Sequence, residues 1–251
     1  MLQFLFACFG AIALLAPAAA AAADAAAVER LKAGEDCIKC NLDGADLSGM
    51  SLVGRNLGGA RLNDANLAGA DLTGANLAGV SMLRGNLTNA NLAGASLVIA
   101  NIENANFSGA VLDGADIGSV RMTSANFSGV SAKGTRFAGA RMRAVDFSRA
   151  DLTGANFGGA KGPAANFEDA KMAGGKFRKA GLAGATLVGA DLSNANFFSA
   201  DLWKADLRQA NITGADFTRA RLRIAKLPER MDGANLCRAE MPDGSSSPEG
   251  C

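Results

Sequence analysis

The chain has 251 residues, a formal net charge of +1, 49% hydrophobic residues, no His and no Tyr. That length suffices for one large domain. Without His, the commonest acid–base catalyst and metal ligand is missing, so no catalytic, metal or cofactor site is expected.

The first stretch differs from the rest. Leu2 to Leu15 is almost wholly apolar, and Pro17 leads into an Ala run that ends at Asp24. Small residues there offer several Ala-x-Ala cleavage sites, so residues 1–23 read as a secretory signal peptide. The expected location is therefore periplasmic or secreted. The alternative is anchoring by an uncleaved N-terminal helix, since the apolar run approaches the ~20 residues that a span needs. Only then would the chain meet a membrane.

Residues 24–36 should form a short helical cap. Asp24 suits an N-cap, Ala, Glu, Leu and Lys favour helix, and Gly34 can stop it. Val28 and Leu31 share a face, which would cover the open end of whatever sheet follows. Cys37-Ile38-Lys39-Cys40 comes next. A Cys-x-x-Cys can be redox-active, half of a metal site, or a structural disulfide. Export favours the disulfide. A thioredoxin-like use needs an α/β fold that the pattern lacks.

From residue 37 to 241 one short phrase repeats. Ala65-Asn66-Leu67-Ala68-Gly69 is followed by Ala70-Asp71-Leu72-Thr73-Gly74 and Ala75-Asn76-Leu77-Ala78-Gly79. A large apolar centre falls at every fifth position from Leu42 to Leu227, with Ala132 and Gly162 as exceptions. A period of five fits neither a helix nor an alternating strand. Two inward residues separated by one outward polar residue make a brief extended segment. Gly at the end of the unit supplies the positive φ of a type II turn. Four such sides would close a square coil, and coils would stack at β-spacing, roughly 4.8 Å apart.

These residues resemble the pentapeptide-repeat proteins, whose Ala-(Asp/Asn)-Leu-x-x phrase is matched almost without gaps from Asp46 to Leu227. The resemblance implies an all-β solenoid: a right-handed quadrilateral β-helix, here of about nine coils. Period twenty supports four sides. One wall reads Leu87, Phe107, Phe127, Phe147, Phe167, and the opposite wall Ile117, Phe137, Phe157, Phe177, Phe197. Large residues on two walls and smaller ones on the others fill a bore of constant volume. A third side ends its units in Gly54, Gly74, Gly94 and so on to Asn194 and Gly214, which predicts a column of type II turns. The fourth has Arg84, Ala144, Ala164 and Ile224 there, so other turn types are expected on it. Gly162-Pro163 removes one centre, which Met142 and Leu182 must fill unless the chain bulges.

Charge is uneven. Arg121 to Lys179 holds eleven Lys or Arg against four Asp or Glu. Outward positions on the fourth side include Arg121, Arg141, Arg143, Lys161, Arg221 and Arg223, a candidate stripe for an anionic partner. The plainer reading is a solvated face. Trp203 is outward by register, with Arg223 one coil above it, and Phe198 has Arg178 one coil below. Cation–π cover and a contact patch both fit.

Pro228-Glu229-Arg230 breaks the register, and Ala234-Asn235-Leu236 resumes it one residue early. Residues 242–251 form a turn-rich tail. Exported bacterial pentapeptide-repeat proteins share the short helix with a Cys-x-x-Cys start, and a tail with a late Cys and a terminal Gly-Cys. The resemblance therefore implies a Cys237–Cys251 bridge beside Cys37–Cys40. At opposite ends of the rod, roughly 40 Å apart at β-spacing, the two pairs cannot share a metal.

The best functional reading is a non-catalytic structural or protein-interaction scaffold of the bacterial envelope. Its partner is an unidentified protein or envelope component, and a homodimer stays open. Binding an anionic ligand through the basic stripe is the alternative, with thiol–disulfide redox chemistry behind it. Some members protect gyrase by presenting an acidic, nucleic-acid-like rod. A net charge of +1, a basic middle and a signal peptide depart from that pattern.

Overall fold

The computed structural model describes residues 23–247. Nearly all of the expected signal peptide, and Cys251, lie outside the described residues. Among those described, α1 (Ala25–Lys32) is the one helix, and no helix is long and apolar enough to cross a membrane. Asp24 caps α1 by accepting from the Ala26 amide at 3.0 Å. At the other end Gly34 takes φ +78°. The Gly34 amide donates to the Leu31 carbonyl and the Glu35 amide to that of Arg30, which closes a Schellman motif. Ala27 and Leu31, one turn apart, are each 1% exposed. Val28, expected on the inner face, packs at its margin and is only partly buried.

Beyond α1 the chain is a coil of twenty-residue circuits. Parallel bridges join residue i to i+20 without a break from Asn41↔Arg61 to Asp206↔Lys226. Each unit makes the same bonds. The Leu67 amide donates to the Asn86 carbonyl (2.7 Å), the Gly69 amide to that of Thr88 (2.9 Å), and the Asn66 amide back to that of Ala45 (2.9 Å). The Ala70 amide closes the turn on the Leu67 carbonyl at 3.0 Å. A unit so short has room for one bridging residue per side, so the walls are columns of isolated bridges rather than multi-residue strands.

The repeat centres and the small residues two before them line the bore, nearly all of them fully buried. The aromatic walls stand where period twenty puts them. Phe137, Phe157, Phe177, Phe197 and Phe217 stack with ring centroids 4.6–5.0 Å apart and planes within 7°. The facing column meets this one edge-on: Phe147 and Phe157 are 5.7 Å apart at 87°. Gly162 produces no bulge. The Lys161↔Gly181 bridge continues the ladder, and a Cβ on Gly162 would lie 2.9 Å from Met142 Cγ and 3.4 Å from a Leu182 methyl. Thr135 stands at a buried small-residue position, and its hydroxyl donates to the Leu112 carbonyl at 2.6 Å.

The fourth side departs from expectation. Arg84, Ala144, Ala164 and Ile224 have φ of +55°, +52°, +57° and +60°. Their turns carry the same closing hydrogen bond as the glycine turns. The ladder explains this. The residue at that corner must donate its amide to the coil above, and a single inner bore imposes one corner geometry on all four sides.

The last circuit loses one residue. Asp216 bridges Asn235 and Arg221 bridges Glu240, both nineteen apart. The tail then folds back: Ser246 bridges Glu240 antiparallel, and the Ser247 amide donates to the Ala239 carbonyl at 2.9 Å.

Candidate functional site

With the bore sealed, chemistry is left to the outward columns and the two ends. The outward residue before each centre is commonly Asn or Asp for a local reason. Its side-chain oxygen accepts from the amide two residues on, as Asp71 does from Thr73 (3.0 Å) and Asn76 from Ala78 (3.0 Å). This Asx turn satisfies a group that the inter-coil ladder leaves over. The amides also bond along the column, Asn76 to Asn56 and Asn86 to Asn66, each at 3.0 Å. Calling the position simply polar and outward misses this role. The signal was the preference for Asn and Asp over longer polar residues.

On the fourth side this column changes character. Consecutive bridges Asn101↔Arg121, Arg121↔Arg141 and Arg141↔Lys161 stack three cations directly over one another. All three are exposed, as is Arg143 two residues past Arg141. Arg121 is partnered by Glu103 at 3.1 Å. Among the described residues, Arg141, Arg143 and Lys161 have no carboxylate within ion-pair distance. Like charges in register on a sheet repel, so these three form a local excess of positive charge. Arg221 and Arg223 are on the same side but are not part of it. Three coil steps, about 14 Å, separate Lys161 from Arg221, and Arg221 is flanked by Asp201 (3.3 Å) and Glu240 (3.5 Å). Gly181, Ala183 and Gly184 leave the first of the two intervening coils nearly bare, and the second carries Asp201, Trp203 and Lys204.

Trp203 is 37% exposed. Its cation is the neighbouring Lys204, with Nζ 4.5 Å from the ring centroid, and not Arg223 as register alone suggested. Phe198 is covered by Arg178 at 4.5 Å as expected, with Arg219 at 5.8 Å on the same ring.

At the N-terminal end Cys37 and Cys40 form a disulfide with Cα atoms 5.4 Å apart. They are 1% and 7% exposed, and the Arg30 guanidinium of α1 donates to Cys40 Sγ at 2.9 Å. The Cys37 amide donates to the Asn56 carbonyl, so the bridge already belongs to the ladder. A disulfide beneath a helix is closed to an attacking thiolate, which is the geometry of a structural clasp. Cys251, the implied partner of Cys237, is outside the described residues. No group of three or more Cys, Asp and Glu among those described could hold a metal ion.

The Pentapeptide repeats family is matched in eight copies, over residues 40–79, 86–129, 121–159, 164–197 and 190–227. The chain belongs to the pentapeptide repeat family. Solved members similar to it include HetL of the cyanobacterium Nostoc, a pentapeptide repeat protein involved in heterocyst differentiation regulation. HetL is 29% identical over 88% of this chain and 97% of its own, with a TM-score of 0.43. QnrB1, a plasmid-mediated fluoroquinolone resistance protein, is 19% identical over 76% and 88% at 0.38. Rfr23 of the cyanobacterium Cyanothece is 22% identical over 74% and 97% at 0.20. No curated protein matches the chain.

Proposed function

We propose that this pentapeptide repeat protein is a non-catalytic interaction scaffold of the bacterial cell envelope, a right-handed rod of about nine coils that holds another protein or envelope component. The observation that carries the reading is the completeness of the interior. Among the described residues every buried side-chain nitrogen and oxygen has a hydrogen-bond partner, so the bore has no polar group left over for chemistry. The apolar start of the chain and the buried Cys37–Cys40 disulfide support export, since such bridges persist in oxidising compartments.

A second reading is favoured by one observation, the uncompensated column of Arg141, Arg143 and Lys161 beside Arg121. It suits a partner bearing phosphate, sulfate or carboxylate groups at a similar repeat. Cell fractionation followed by crosslinking in the native envelope tests both readings. Recovery with a defined envelope partner is expected, and an exclusively cytoplasmic protein would refute the first. If the column makes the contact, Arg141→Glu weakens capture several-fold and raised salt does the same. Indifference to both changes removes the second reading and leaves the first.

A further inference from the structure

The rod is open at one corner. One coil below that corner the ladder is complete. The Gly189 amide donates to the Arg208 carbonyl (3.1 Å), Leu192 to Asn211 (2.8 Å) and Asn194 to Thr213 (2.9 Å), while the Asn211 amide donates to the Ala190 carbonyl (2.9 Å). One coil higher the corresponding groups have no such partner. Among the described residues, the amides of Gln209, Ile212 and Gly214 donate to no carbonyl, and the Ala210 carbonyl accepts from no amide. The segment that should cover them is the register break at 228–233, which makes no ladder bond to Gln209, Ala210 or Ile212 and returns at Gly233, where a Cβ would lie 3.6 Å from the Gly214 nitrogen. Between them is a cleft of about 740 Å³ lined by Gln209, Ile212, Thr213, Pro228, Arg230 and Asp232, among others. It is no hole into the bore, because Ile212 is 2% exposed and Ala210 6%.

The cations of the cleft are already paired, while Glu229 on its rim has no cation within ion-pair distance among the described residues. Arg230 pairs with Asp232 and Arg208 with Asp206, each at 2.7 Å. No spare cation therefore invites a free anion. What is left is main-chain hydrogen bonding: two donors and one acceptor, in the order that every lower coil uses to hold the strand above it. We infer that this corner receives one extended peptide segment of another protein by strand addition. Its carbonyls accept from Gln209 and Ile212, and one of its amides donates to Ala210. The cleft volume is within the range of roughly 300–1,000 Å³ that ligand sites occupy. The inference rests on the scaffold reading only in taking the rod to act by holding another chain, and it does not involve the basic column.

The test uses the ¹⁵N-labelled chain and a defined probe, the protein's own unit Ala70-Asp71-Leu72-Thr73-Gly74 blocked at both ends. In the free chain the Gln209 and Ile212 amides should exchange with solvent at least tenfold faster than Gly189 and Leu192. Titration with peptide should shift the two signals and slow their exchange. Thr213→Trp should fill the exposed cleft and abolish the response without moving the unfolding midpoint. Arg141→Glu should leave the response intact, which separates this site from the column reading. The inference is overturned by equal protection in the free chain, or by no shift at millimolar peptide. It is also overturned if inorganic phosphate protects the amides where peptide does not, or if protection rises with protein concentration alone, which would make the occupant a second copy.

Discussion

At Ile224 a β-branched side chain, 53% exposed, sits on backbone at φ +60°. That region costs an L-residue about 1–2 kcal/mol. Glycine relieves the strain but gives back about 0.5–1 kcal/mol in unfolded-chain entropy. Ile224→Gly should therefore raise stability by about 0.5–1 kcal/mol in denaturant unfolding. The reverse change is equally informative. Gly74 has φ +64° and nothing within 4 Å of an added Cβ, so Gly74→Val should lose about 0.5–1 kcal/mol, the same backbone strain less the same entropy term. Both follow from one corner geometry shared by all four sides. The Asx turns belong to this scale too. They explain why Asn and Asp recur before the centre, and why the Arg121–Lys161 column is locally less well satisfied than its neighbours.

The element is the five-residue unit, and its energetic problem is volume. Met142 fills the space that the missing centre at Gly162 leaves. Met142→Ala should open a cavity and cost about 2–4 kcal/mol. Gly162→Leu alone should overpack the same space and cost about 1–3 kcal/mol. Together the two changes should cost much less than their sum, because each corrects the volume error of the other. A double-mutant cycle in urea measures that coupling, and strict additivity would show that the two positions do not share one space. At the N-terminal end the Cys37–Cys40 clasp closes a turn where the first coil begins, and α1 packs over it through Arg30. Its loop is very short, so replacing both Cys37 and Cys40 by Ser should cost only about 2 kcal/mol by chain entropy, and the rod should stay folded.

At the scale of the whole molecule, charge sets the pH response. With no His, the ordinary titrating side chain between pH 5 and 8 is missing. Hydrogen bonds from the Arg208 guanidinium hold the Asp206 carboxyl down to about 2, against a smaller upward push from partial burial. Asp46 and Asp71 are lowered by their Ser48 and Thr73 hydroxyls, and Asp64 by Arg84. A carboxyl with a folded pKa below its unfolded value of about 3.9 stabilises the fold above that value. The contribution is lost as pH falls through the folded pKa. Stability should thus be flat from pH 5 to 8 and decline from about pH 4 to 2. Asp206→Asn should be less stable than the parent at pH 7 and show a shallower decline below pH 4, by denaturant midpoints at each pH.

Much of this molecule was legible one residue at a time. A period of five with a small residue, an Asx and a large apolar centre can bury its centres only by closing on itself. The sorting of Phe at period twenty then identifies the two aromatic walls. Gly34 and Asp24 mark the helix ends, and Pro228 marks the register break. These features are local or strictly periodic, so the linear chain carries them. Other properties depended on what lies one coil away. Ile224 and Ala144 take left-handed corners against their own preference because the stacked ladder demands an amide there. Trp203 is covered by its neighbour Lys204 rather than by Arg223, since side-chain reach decides between them. The open corner at Gln209–Ile212 exists only because the loop that follows Leu227 makes no ladder bond to a backbone nearly a full circuit earlier. Pattern alone cannot supply such a result, because hydrogen bonds missing between distant segments leave no mark on the residues that lack them.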